Sequence, residues 1–420
     1  MNRPIKTFLH GLEPRARKGL NSDVPWGRTG RGRVTIVGRE AILRVLETYN
    51  PSALRIAMIG SHSALDVCDG AVEEGFPTLV ICEKGRATPY ARYFRALRDK
   101  EGHAVRGMVD EAIVLSKFQE VLNEKMQDRL RKANAVFIPN RSFTSYCDLD
   151  EIERTFRVPL FGSRNLLRTE ERDEERSYYW ILEKAGLPAP EKIDDPKDID
   201  GLVIVKLHHK VKKLERGFFT AASYKEYKAK SGALLKQGVI STRDLAKSRI
   251  ERYIIGPVFN FDFFYSPIEG QGEKLELLGV DWRFETSLDG HVRLPADQQM
   301  TLVEAQRIPE YVVVGHNSAT LRESSLGAVF DIADRYVRAT QEHFRPGIIG
   351  PFTLQTAVDK DLKFWVYDVA PRIGGGTNVH MSLGHSYGNS LWRRPMSTGR
   401  RIAMEIRRGI DSGRLDEIVT

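Results

Sequence analysis

From Arg39 onward the apolar residues fall into two alternating patterns. REAILRVLETYN (39–50) spaces them three and four apart, as one face of a helix does, and RIAMIG (55–60) is an almost continuous apolar run. The exchange then repeats. SALDVCDGAVEE (63–74) predicts a helix, TLVICEKG (78–85) a strand and EAIVL (111–115) another strand. KFQEVLNEKMQDRLRKAN (117–134) predicts a long helix and AVFIPN (135–140) a fourth strand. Strands alternating with helices at this spacing predict a parallel α/β sheet. Ligands of such sheets bind beyond the carboxyl ends of the strands. Three loops fall there: Gly60 to Ser63, Lys84 to Arg86 and Asn140 to Phe143. All offer hydrogen-bond donors suited to a phosphorylated small molecule.

The pattern changes after residue 160. Ser163 to Gly186 reads as a highly charged helical stretch closed by a glycine. LVIVKL (202–207), GFFTAAS (217–223), IERYIIG (250–256), VFNFDFFYSP (258–267) and LELLGVDWRFET (275–286) follow as strands. Their short length and period-two alternation predict an antiparallel sheet. Helices are expected over 331–344 and 399–410. Between them, TLQTA (353–357) and LKFWVYDVA (362–370) form a hairpin around Asp359-Lys360-Asp361. The fold class is α/β: a parallel domain over 39–160, then an α+β region over 161–420 with two lobes meeting near residue 255. Residues 1–38, rich in Arg, Gly and Pro, read as a loosely ordered basic arm, or as an arm for oligomer contacts or anions.

Composition narrows the class. Apolar content of 41% and charged content of 29% are those of a globular protein. No window approaches the roughly 20 apolar residues of a membrane span, and the N-terminus lacks the apolar core of a secretory signal. Cys68, Cys82 and Cys147 form no metal or disulfide pattern and read as reduced, buried residues of a cytoplasmic protein. A net charge of +8 favours an anionic ligand. The basic residues are not interleaved with aromatics, which argues against nucleic acid.

The densest chemistry lies in the late hairpin, which places Gln355 near Asp368 across paired strands. Oxygen donors on a rigid hairpin suit Mg²⁺, which shares its coordination with substrate phosphates. Arg372 and the run Gly374-Gly375-Gly376 add a charged fork and exposed backbone N–H groups for phosphate.

This organisation resembles the ATP-grasp fold, with a Rossmann-like preATP-grasp domain ahead of two ATP-grasp lobes. GSHSALD (60–66), EKGR (83–86), IPNRSF (138–143), FYSP (264–267), LRES (321–324), PGIIGPFTLQ (346–355), PRIGGGTN (371–378) and MSTGRRIAMEI (396–406) carry the likeness further. In colinear order they resemble the archaeal formate-dependent 5-formaminoimidazole-4-carboxamide ribonucleotide synthetase family. A segment from Leu97 to Met108 and the N-terminal arm lie outside the likeness. The resemblance implies formylation of 5-aminoimidazole-4-carboxamide ribonucleotide by formate and ATP, through formyl phosphate, with Mg²⁺ or Mn²⁺. It also implies a homo-oligomer.

It carries roles to particular residues. His62 and Ser142 match positions contacting the aminoimidazole nucleotide, although Ser142 could instead be a helix N-cap. Lys84 and Arg86 could hold the ribose phosphate. His316 stands where the family places a substrate-contacting amide, and could take over that contact or indicate a changed pocket. Lys206 matches the lysine reaching the ATP phosphates, and Glu251 a strand lining the adenine-ribose pocket. Arg322 and Arg372 fit phosphate or formate clamps; Gln355 and Asp368 match the metal ligands. Three departures accompany these matches. The phosphate-covering loop reads HHKVKKLER (208–216), offering Arg216 and its neighbours in place of glycines. An aromatic near Tyr179-Trp180 replaces a second ATP-contacting lysine, and Asp368-Val369-Ala370 stands where Glu-x-Asn is common. They leave open a divergent paralogue that binds a nucleotide monophosphate but ligates another carboxylate, or none.

Overall fold

The computed structural model describes residues 36–207, 218–303 and 312–420. The loop HHKVKKLER with Arg216, and the basic arm up to Thr35, lie outside the described residues.

Strands β1 (Arg55–Ile59) and β2 (Thr78–Glu83) open the first sheet. A small antiparallel hairpin, β3 (Leu97–Arg98) and β4 (Ala104–Arg106), occupies the segment that lies outside the family likeness. Strands β5 (Glu111–Leu115) and β6 (Ala135–Ile138) complete a parallel sheet of order β5-β2-β1-β6. The apolar runs are nearly continuous because both faces are covered. Ile56 and Met58 pack with Ile402, Ala403 and Ile406 of the C-terminal helix Thr398–Asp411. Ala57 and Ile59 face the other way, into a core with Phe118, Phe137, Phe143 and Phe156.

The C-terminal helix crosses the helix Ala64–Glu73 at backbone contact. A Cβ added to Gly70 would collide with the Arg400 backbone nitrogen, and one on Gly399 with the Asp66 backbone oxygen. Only glycine permits that approach. The helix is also tied to the later sheet by fully buried charge. Arg401 bonds Glu276 at 2.7 Å and Glu405 at 2.8 Å, and the Ser266 hydroxyl donates to Glu405 at 2.5 Å.

Two expected helices are broken. Residues 117–134 form a 3₁₀ turn, Phe118–Leu122, then the helix Glu124–Lys132. Phe118, Val121 and Leu122 of the turn are all buried, a spacing the tighter 3₁₀ turn satisfies. Residues 163–186 likewise divide into a 3₁₀ segment, Arg164–Glu170, and the helix Tyr178–Lys184. The helix expected from residue 331 begins earlier and spans Glu323–His343. Ser324, Ser325 and Gly327 weaken its local propensity, but packing against the sheet overrides that.

The remaining strands form two antiparallel sheets. Strands β7 (Lys192–Ile193), β8 (Val203–Lys206), β9 (Phe218–Ala221) and β10 (Arg249–Arg252) pair in the order β7-β10-β8-β9. Strands β11 (Val258–Tyr265), β12 (Leu275–Glu285), β13 (Val313–Ser318), β14 (Gly350–Val358) and β15 (Phe364–Ala370) pair as β13-β12-β11-β14-β15. Among the described residues no helix is long and apolar enough to cross a membrane.

Candidate active site

The three sheets enclose a cleft of about 1310 Å³. Its walls come from β8 and β10 on one side, the inner residues of β11, β12, β14 and β15 on another, and the loop after β1. Among the described residues, basic and acidic side chains line it in equal number. Arg141, Arg172, Lys206, Arg252, Arg283 and Arg372 accompany Glu170, Glu251, Asp281, Glu285, Asp289 and Asp368.

Lys206 ends β8, where the strand leaves the sheet and its side chain enters the cleft. The ammonium donates to the Tyr179 hydroxyl at 3.0 Å and the Tyr367 carbonyl at 3.1 Å, and pairs with Glu251 at 2.5 Å. Arg249, opposite Lys206 in the ladder, bonds the same carboxylate at 2.5 Å and lies 3.8 Å above the Tyr179 ring. Tyr179, from the stretch where the sequence reading places an aromatic instead of a second lysine, thus contacts both Lys206 and Arg249. Burial alone would push Glu251 up, but Lys206 and Arg249 outweigh it and hold the carboxyl below its usual range. Burial pulls the Lys206 ammonium below the usual lysine range, with Glu251 opposing. Glu251 is fully buried, so it reads as an internal counter-ion to the two cations more than as a ribose contact.

Gln355 and Asp368 are direct partners across β14 and β15. An Arg283 N–H donates to the Gln355 side-chain oxygen, and Arg172 approaches Asp368 at 3.4 Å. No cluster of three or more His, Cys, Asp or Glu able to hold a metal occurs among the described residues. The two oxygens therefore fit a hard divalent ion only where phosphate oxygens and water complete its shell, which is the habit of Mg²⁺. Arg372, expected as a clamp, is buried and pairs with Glu170. Arg141 reaches Glu171 at 2.9 Å and Glu170 at 3.5 Å.

The glycine run after β15 differs from the exposed phosphate cradle read from sequence. Gly374 and Gly376 are buried. A Cβ on Gly375 would lie 2.7 Å from the His62 ring, and one on Gly376 would collide with the Asp281 carboxyl. The glycines let this backbone press against His62 and Asp281. His62 itself sits at φ 58°, uncommon for a residue with a side chain. Two amides hold its loop: Asn140 donates to Ile59 at 2.9 Å and to Ser61 at 3.0 Å, and Asn378 donates to His62 at 2.8 Å. Burial, then Arg372 and Arg141, drive the His62 ring well below its usual range, so it is neutral at physiological pH. Across the loop, His316 meets Asp281 at 2.6 Å.

Seven of the expected residues thus share the cleft: His62, Lys206, Glu251, His316, Gln355, Asp368 and Arg372. Ser142 is buried beside cleft-lining Arg141. It does not cap its helix; the Asn140 side chain does, accepting from the Phe143 N–H at 3.2 Å. Lys84 and Arg322 are exposed and outside the lining. The Lys84 N–H is drawn to Leu115 at the sheet edge, and Arg322 begins the helix Glu323–His343. Arg86 lies 5.4 Å from the Phe118 and Tyr146 rings and 3.3 Å from the Ser61 hydroxyl, so it buttresses the His62 loop from behind. The sequence reading missed Arg249, Arg283 and Asp281. The sequence shows only opposite charges two residues apart, Arg249 with Glu251 and Asp281 with Arg283, and does not say which residue each one faces.

Comparison with known proteins adds a second line of support. Residues 56–193 match a family model described as a protein of unknown function, DUF1246, and 226–420 one described as a domain of unknown function, DUF1297. A protein of Methanopyrus kandleri named 5-formaminoimidazole-4-carboxamide-1-(beta)-D-ribofuranosyl 5'-monophosphate synthetase is 42% identical, covering 92% of this chain and 100% of its own. The same-named protein of Methanothermobacter thermautotrophicus is 40% identical, covering 91% and 99%. The crystal structure of an IMP biosynthesis protein PurP from Thermococcus kodakaraensis superposes with a TM-score of 0.64 at 30% identity, over 87% of this chain and 100% of that one. A biotin carboxylase–ATP complex from Campylobacter jejuni, 12% identical, shares the fold with a TM-score of 0.53, over 83% of this chain and 70% of that one.

Proposed function

The chain belongs to the 5-formaminoimidazole-4-carboxamide ribonucleotide synthetase family, and we propose that it formylates 5-aminoimidazole-4-carboxamide ribonucleotide with formate and ATP. It is a carbon–nitrogen ligase on the ATP-grasp fold. Formate is a poor electrophile until one of its oxygens takes the γ-phosphoryl group of ATP. The 5-amino nitrogen then attacks the formyl carbon of formyl phosphate. The C–N bond forms as the C–O bond breaks, phosphate leaves with the electron pair, and the nitrogen gives up a proton.

The single observation that carries this reading is one cleft lined by both Lys206 and neutral His62, with Arg249 backing Lys206 through their shared partner Glu251. Lys206 and Arg249 would orient the triphosphate. Arg372 and Arg283 would neutralise charge on the transferring phosphoryl group, where positioned cations act in a dry site. Gln355 and Asp368 would hold a divalent cation, Mg²⁺ or Mn²⁺, which supplies charge neutralisation at the phosphates. The described lining carries acids and bases in equal number, so such a cation would add positive charge beside a triphosphate. His62, neutral and lining the cleft, would accept a hydrogen bond from the aminoimidazole without adding a positive charge beside Arg372 and Arg141.

The test is formate-dependent release of ADP in the presence of the aminoimidazole nucleotide, with the formylated product seen by mass spectrometry. Lys206→Ala should lower kcat/KM by on the order of 10²-fold or more. Absence of turnover by folded protein at every Mg²⁺ concentration would sink the ligase reading. One observation favours a second reading, a monophosphate binder that has lost ATP chemistry. All three Lys206 partners, Glu251, Tyr179 and Tyr367, are internal. Calorimetric ATP binding that depends on Lys206 argues against it.

A further inference from the structure

Asp281 lies in the middle of β12, fully buried, with its carboxyl at the cleft. Asn260 of β11, its direct ladder partner, donates an amide N–H to the Asp281 Oδ1 at 2.7 Å. His316 of β13, diagonal to it in the ladder, places Nδ1 2.6 Å from the same oxygen. A second carboxyl, Asp262, is buried nearby on β11 and bonded by the Thr353 hydroxyl at 2.8 Å. Burial, then the charge of Asp281, raises the Asp262 carboxyl well above its usual range. The geometry gives Asp281 the acceptor role: the Asn260 amide N–H and the His316 ring both converge on its Oδ1.

An ionised carboxylate can only accept hydrogen bonds. Asn260 must turn its amide nitrogen toward Asp281, and His316 must carry its proton on Nδ1. In the neutral ring that leaves Nε2 as an acceptor, with no hydrogen-bond partner among the described residues. His316 lines the cleft together with His62 and the glycine run. The aminoimidazole substrate presents –NH₂ groups, which need acceptors and are repelled by donors.

We propose that Asp281 is a positioning residue that fixes His316 as a hydrogen-bond acceptor for an –NH₂ group of the aminoimidazole nucleotide. The inference rests on the ligase reading for the identity of that substrate, though not for the state of the ring. Bonded through one hydrogen to Nε2, the 5-amino nitrogen keeps its lone pair directed at the formyl carbon. The residue at 316 need not be an imidazole for this. An amide could donate to Asp281 and present its oxygen, whereas a hydrocarbon could do neither.

Selective ¹⁵N labelling of histidine in the full chain at pH 8 reads the tautomer directly, with His316 assigned by its loss in His316→Asn. The expected result is Nδ1–H in the native protein. Asp281→Asn can donate to Nδ1, which moves the proton to Nε2, and kcat should fall on the order of 10²-fold or more through the wrong tautomer. The KM for ATP should not move. His316→Asn should lose less than about tenfold in kcat and His316→Leu about as much as Asp281→Asn. An Nε2–H tautomer in the native protein overturns the proposal, as does full activity of Asp281→Asn with the tautomer reversed. Equal loss in His316→Asn and His316→Leu overturns it too. Should Asp281→Asn fail to fold, the native spectrum and the two His316 variants still decide. No formate-dependent turnover in the native protein would defeat the ligase reading, and the spectrum would still judge Asp281.

Discussion

Asp66 shows what burial does to one side chain at the root of the site. Its carboxylate accepts from the Gly399 N–H at 3.0 Å, with Ser397 and Thr377 beside it, and burial raises it to about 6. Folded protein therefore holds this proton more tightly than unfolded chain, whose carboxyl keeps an ordinary value. Stability from the group is complete below about pH 4 and is lost as pH rises through about 6. Above that, the buried charge costs about 3 kcal/mol. Asp66→Asn, neutral throughout, should be more stable than the native protein at pH 7.5, and the gap should close by pH 4 in urea titrations. A gap that ignores pH would contradict the burial argument. Lys206 is the opposite case, a cation kept in place by Glu251; its candidacy was legible because a lysine ended an apolar strand. Its partner Arg249 was not, because charge on a strand face gains meaning only when the facing residue is known.

At the scale of elements, period decided most of the outcome. Strands and helices of the parallel sheet stand where the apolar spacing put them, since each pattern is satisfied by a single buried face or pair of faces. The errors came where packing broke a local pattern, as at Phe118–Leu122. The C-terminal helix carries a charge network that periodicity could not reveal. Arg401 is buried between Glu276 and Glu405 and also covers the Phe264 ring at 4.2 Å. Arg401→Met keeps the apolar stem and removes the charge, leaving two buried carboxylates uncompensated. Loss of about 3–5 kcal/mol is expected, read as a fall in the denaturant midpoint. Replacing Arg401, Glu276 and Glu405 together by Met, Leu and Leu should recover most of it; failure to recover would point to packing in place of charge.

The whole molecule contributes the cleft, to which no single sheet is sufficient. Lys206 comes from one antiparallel sheet, Gln355 and Asp368 from the other, and His62 from the parallel one. A ligand that bridges them should stabilise the assembled molecule. At 100 times its Kd, ATP with Mg²⁺ should add about 2.7 kcal/mol, visible as a rise in Tm that Lys206→Ala abolishes. With acids and bases equal in number along the described lining, EDTA should remove most of this shift. A shift that survives chelation would mean that Arg172 and Arg283 do the ion's work at Gln355 and Asp368.

By itself the sequence determined the α/β order, the loops at the strand ends and the hairpin that brings Gln355 to Asp368. Those features depend on spacing along the chain, on turn residues and on the period of apolar positions, all of which are local. Only the tertiary structure decided that Lys206 is held by Glu251 and Tyr179, that the glycine run presses on His62 and Asp281, and that Asp281 orients His316. Each of these joins residues from separate strands, helices or loops inside a buried site. There the ionisation and hydrogen-bonding role of a group are set by which neighbours exclude water from it, and no stretch of sequence records that.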